Sequence, residues 1–206
     1  MPRHRCTYTD TSETVIGYSL SLATVIHTGE SVGFRIQIML FKGRERENIL
    51  RDLGLTSTGE SCEFHDADIV GVTIPSGDYV VYFSDRNLGI SDHKLLAFLS
   101  EGGSLFVFTC YEGVMLAITA AFEDGVEQWC VEHQGSESPF SLKVRGNLPE
   151  FYSEIENRLV VRQHVKPDSA SVFNIPVELF VACAGFQYDD SVHYGRTLIG
   201  ERLTRA

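Results

Sequence analysis

Residues 104–144 read SLFVFTC, YEG, VMLAITAAF, EDG, VEQWCVEH, QGSESP and FSLKV in succession. Four runs of strand length alternate with clusters of turn-forming residues, a pattern that predicts an antiparallel meander. The first run, 105–110, is apolar at nearly every position, as a strand covered on both faces must be. In 114–122 the side chains sort by period two. Val114, Leu116, Ile118 and Phe122 share one face, and Met115, Ala117, Thr119 and Ala121 share the other. Large groups on one side and mostly small ones on the other predict a helix lying close on the small side. Asp124-Gly125 marks a tight hairpin, because glycine takes a positive φ without a Cβ clash. Trp129 and Val131 share the next face. Phe140, Leu142 and Val144 alternate with Ser141, Lys143 and Arg145, as in a strand with one wet side.

The flanking segments carry weaker versions of the same signals. Residues 15–26 and 34–41 alternate as two strands joined by a turn at 27–30, a predicted hairpin. A short helix is expected over 44–53, with Ile49, Leu50 and Leu53 as its stripe and Gly54 as its left-handed stop. The polar stretch 56–68 reads as a loop, 69–74 and 79–83 as strands, and 84–90 as a loop. Ser91 suits the cap of a helix over 92–100 that buries Leu95, Leu96 and Leu99. Pro149 fits the first turn of a helix reaching about 162, and Pro176 opens a last one over 177–184, ended by Gly185. The expected fold class is α+β. A mainly antiparallel sheet, with its central meander at about 104–145, carries three to four helices packed on one face. The chain is expected to form one domain, with polar and loosely held ends at about 1–12 and 187–206.

With 206 residues the chain is long enough for a sizeable core. No apolar stretch approaches the ~18 residues of a membrane helix, and residues 1–10 lack the apolar segment of a secretory signal. The expectation is a soluble, cytoplasmic protein. Its five cysteines are widely spaced and imply buried thiols in place of a disulfide framework. The net charge is −11, and nine acids face two bases between Glu112 and Glu156. Such a surplus argues against nucleic acid and anionic membranes, since phosphate contacts require Lys and Arg. It permits a basic protein partner, and Glu112, Glu123, Asp124, Glu127 and Glu132 are the candidate interaction surface. A surplus of acid also keeps a protein soluble without any partner.

Motifs for phosphate loops, dinucleotide binding, zinc proteases, Cys-x-x-Cys redox centres and nucleophile elbows do not occur, so no cofactor is implied. The densest set of potential metal ligands is Cys62, His65, Asp66 and Asp68. A zinc site needs four well-placed donors, and no second Cys or His pair lies at matching distance. The plainer reading is a polar loop capping the strand at Ile69. Asp189, Asp190 and His193 form a smaller group in the terminal segment. Cys110 and His133 sit at strand ends, where a nucleophile–base pair would need the right register. Ser91-Asp92-His93 is explained by capping. Tyr79, Tyr82, Trp129, Phe140 and Tyr152 could line a pocket, although aromatics at these spacings more often belong to the core.

Two function classes follow. The first is a non-catalytic interaction protein of the immunity or antitoxin kind, masking a basic partner. The alternative is a small-molecule-binding protein or enzyme, with its pocket on the sheet face near 62–68 or around Trp129. A third expectation is a subunit that pairs a free sheet edge with its own copy.

Overall fold

A computed structural model describes residues 33–84, 92–185, 192–193 and 196–206, with backbone alone for 192–193 and 196–197. Eleven strands and four α-helices follow in chain order: β1 (Arg35–Lys42), α1 (Arg46–Leu53), β2 (Leu55–Glu63), β3 (Ile69–Thr73), β4 (Tyr79–Ser84), α2 (His93–Leu99), β5 (Ser104–Tyr111), β6 (Leu116–Glu123), β7 (Val126–Gln134), β8 (Lys143–Gly146), α3 (Tyr152–Val165), α4 (Asn174–Ala184), β9 (Val192–His193), β10 (Arg196–Thr197) and β11 (Ile199–Arg205). Nine strands make one sheet in the order β2-β11-β3-β4-β1-β5-β6-β7-β8, and each neighbouring pair is antiparallel. The remaining two form a separate ribbon. This is the α+β antiparallel sheet with helices that the sequence predicts.

The meander stands. Residues 116–123 are a strand, and Asp124 and Gly125 reverse the chain with φ of 46° and 83°. Both central residues lie in the left-handed region, the geometry whose twist matches a two-residue hairpin. The small side of β6 does meet a helix. Ala117 packs in one cluster with Phe173, Val177 and Phe180, Ala121 in another with Ile175 and Leu179, and the Thr119 hydroxyl donates to the Pro176 carbonyl at 2.7 Å. A larger residue at 117 or 121 would hold α4 off the sheet.

The helices are not confined to one face. On the opposite side, Met39, Phe41, Val107 and Phe122 pack with Ile49 and Leu53 of α1 and with Leu96 and Leu99 of α2. α3 and α4 cover the first side. β1 requires both layers, since Ile36 through Phe41 are all buried and successive side chains point to opposite faces. An apolar stripe states how wide a helix's contact is, and says nothing of which sheet face it meets.

Other boundaries shift for local reasons. The cap of α2 is Asp92, whose carboxylate accepts from Lys94 N at 2.9 Å; Ser91 lies outside the described residues. α4 begins three residues before the expected Val177. β8 starts at Lys143, leaving Phe140 in a turn, and Val144 is exposed. The stretch expected as a loop at 56–68 holds all of β2 but its first residue, and the end of the expected tail is β11, paired on both sides within the sheet. The predicted strand at 15–26, the end segment 1–12 and residues 189–190 fall outside the described residues. No described helix is long and apolar enough to cross a membrane.

Candidate acidic interaction site

The β6–β7 hairpin gathers carboxylates that lie apart in sequence. Glu123 and Asp124 are both exposed, and Asp124 Oδ1 accepts from Gly102 N at 3.2 Å, just past the end of α2. Asp124 N donates to Gly103 O at 3.1 Å, which clamps the hairpin to the loop leaving α2. Glu101, also exposed, flanks Gly125. At the end of α2, Gly103 N donates to Ser100 O at 3.1 Å, and Arg44 Nη1 donates to the Leu99 carbonyl at 2.5 Å.

Lys42, Ser104 and Glu123 stand in one row across β1, β5 and β6. With Gly43, Gly102 and Asp124 they line an open depression of about 370 Å³. Its one base is already engaged. Lys42 Nζ donates to the Cys183 carbonyl at 3.1 Å and lies 5.0 Å from the centre of the Phe106 ring. No described base forms an ion pair with Glu101, Glu123 or Asp124.

The other acids of the sequence-predicted surface go elsewhere. Glu112 lies at the far end of the sheet and accepts from Phe34 N at 3.0 Å. Glu127 takes Arg145 through two bonds of 2.7 and 3.2 Å and lies 3.2 Å from His93 Nε2. Glu132 faces Lys143 across β7 and β8 at 3.6 Å. Of the five predicted positions, Glu123 and Asp124 come together. Glu101 joins them through tertiary structure, 23 residues from Asp124 in sequence, and no local pattern announces it.

The four potential metal ligands of 62–68 disperse. Cys62 is buried in the α4-side core, where burial raises its thiol pKa. His65 packs among the rings of Phe34, Phe64 and Tyr82. Asp66 is exposed, and Asp68 accepts from the Ser84 hydroxyl at 3.1 Å. Among the described residues no three His, Cys, Asp or Glu side chains are grouped to hold a metal. Cys110 and His133 share one row and one face, but Ala117 stands between them, which separates the strands by about 10 Å. The Cys130 and Cys183 thiols are pushed up to about 11 by burial, so neither is ionised at neutral pH. Tyr79, Tyr82, Trp129 and Tyr152 are core residues. Phe140 is exposed and stacks on His164 with ring centres 4.6 Å apart.

Compared with known protein families, with curated proteins and with solved structures, the chain matches none.

Proposed function

We propose that this protein acts by binding a basic protein partner of the toxin or enzyme kind, with the corner formed by Glu101, Glu123 and Asp124 as the docking point. One observation carries the reading. Glu127, Glu132 and Glu137 are neutralised by the protein's own bases, while Glu123 and Asp124 line an open depression, with Glu101 beside the same hairpin, all three exposed and without a described ion pair. Such a field speeds encounter with a basic patch and repels phosphate. The clamp between Asp124 and Gly102 holds the hairpin in place before the partner arrives, which limits the ordering cost on binding.

The test is capture of a stoichiometric partner by the full chain at about 0.05 M and about 0.5 M salt, across which the screening length falls severalfold. The expected partner is basic, is retained at low salt, and loses about tenfold or more in association rate when Glu101, Glu123 and Asp124 are all changed to Lys. Charge reversal at Asp66, which is exposed and follows His65 beside Phe34 at the other end of the strands, should leave the rate unchanged. A partner that binds equally well after the corner is reversed would refute the assignment.

A further inference from the structure

At the other end of the same strands, where β6 begins and β7 ends, a half-enclosed cavity of about 210 Å³ lies beside His133. Its walls are mostly apolar: Met115, Pro139, Pro167 and Ala170. His133 is 2% exposed, and its Nδ1 stands 2.7 Å from the Ser141 carbonyl oxygen. A carbonyl can only accept, so Nδ1 carries the proton and Nε2 keeps its lone pair. Burial lowers the pKa of the ring and preserves that neutral form.

The wall opposite is held rigidly. The amide of Gln163, itself 1% exposed, donates to the Pro167 carbonyl and accepts from Ser171 N at 2.6 Å and Val172 N at 3.2 Å. Both ends of that amide are thus spent on shaping the segment that bears Pro167, Asp168 and Ala170. Met115 and Ala170 adopt φ of 54° and 49°, and they are two of the three described non-glycine residues in the left-handed region. Strained backbone of this kind persists where the surroundings over-determine it, and it concentrates at ligand sites. Gly135 completes the wall, since a Cβ there would run into Met115.

The polar character of the cavity is one-sided. His133 Nε2 and the Asp168 carboxylate are acceptors, and no Lys or Arg is among the lining residues. A fitting ligand donates hydrogen bonds, carries positive charge and has an apolar body. An apolar cavity of about 150 Å³ admits benzene, so this one has room for a single ring with a short arm. We propose that the cavity binds a small monocyclic amine, with an N–H donated to His133 Nε2, the ammonium held by Asp168, and the ring against Met115, Pro139 and Pro167.

The probes are benzylamine, benzyl alcohol and benzoate, titrated into the full chain while the His133 ring protons are followed by NMR. Benzylamine should shift the His133 signals saturably, with a dissociation constant on the order of 0.1–1 mM for a ligand of this size. Benzyl alcohol should bind about tenfold more weakly and benzoate not at all, because only the cation gains from Asp168. Asp168→Asn, an exposed change that leaves the core intact, should weaken benzylamine about tenfold. His133→Gln removes the NMR reporter, so benzylamine is titrated into this variant by calorimetry; binding should be abolished, with folding verified by circular dichroism, and binding as tight as in the parent protein would overturn the role of His133. Benzoate binding as tightly as benzylamine, no saturable response to benzylamine, or unchanged benzylamine affinity in Asp168→Asn would each overturn the proposal.

Discussion

Glu201 shows what a single carboxylate contributes here. It takes Arg46 through two bonds of 2.6 and 2.5 Å and the Tyr79 hydroxyl at 2.8 Å, tying α1 and β4 to the final strand. The Arg46 guanidinium holds its carboxyl down at about 2, and burial followed by the bond to Glu201 raises the pKa of the Tyr79 phenol. Gly71 is required beside this cluster, because any Cβ there would strike the Tyr79 hydroxyl. The sign follows from the depressed carboxyl. Its stabilisation is complete above the ordinary value of 4.5 and is lost as pH falls toward about 2. With the side chain 23% exposed, the contribution is on the order of 2–3 kcal/mol. Glu201→Gln should lower unfolding stability by that amount at pH 7 and flatten its acid limb between about 4.5 and 2. Urea melts across that range check it, and an acid limb as steep as that of the parent protein would exclude Glu201 as its source.

Among the elements, the central strands were readable and the outer ones were not, for one physical reason. Phe106 to Cys110 and Ala117 to Phe122 sit under helices, so burial imprints them with apolar periodicity. β2 is an edge strand with Thr56, Thr58 and Glu60 exposed, and β11 buries little beyond Leu203. What makes them strands is their pairing, such as Leu203 with Ser57 and Thr204 with Thr56, and no local window contains it. The acidic corner divides the same way. Glu123 and Asp124 were visible as turn-flanking acids, whereas Glu101 reaches them only through the fold. Sheet sidedness of α1 and α2 was equally hidden, since a stripe does not name its face. If β11 is structural, trimming residues 199–206 removes the strand between β2 and β3, and the shortened chain should lose its cooperative melt. Leu203→Ala alone should cost about 2–4 kcal/mol. Thermal melts decide the matter: a truncated chain melting like the full one would return this segment to the status of a tail.

For the whole molecule the question is why a protein of net charge −11 leaves its acids distributed as it does. Glu127, Glu132 and Glu137 lie beside Arg145 and Lys143, and Glu178 pairs with Arg158, so the flank of the meander is close to self-neutral. The hairpin corner repels itself, and like charges held together oppose the compact state. A binding surface maintained at the expense of stability should therefore become more stable when its charge is removed. Glu101→Gln with Glu123→Gln should raise unfolding stability by about 0.5–1 kcal/mol at roughly 0.01 M salt, and the gain should vanish near 1 M, where the screening length is about 3 Å. Glu127→Gln should move the other way, because it leaves Arg145 and His93 without their shared carboxylate. Urea melts of the three proteins at both salt levels separate the cases. If both corner and flank substitutions destabilise, the corner acids hold the fold together as the flank acids do, and the docking role loses its support.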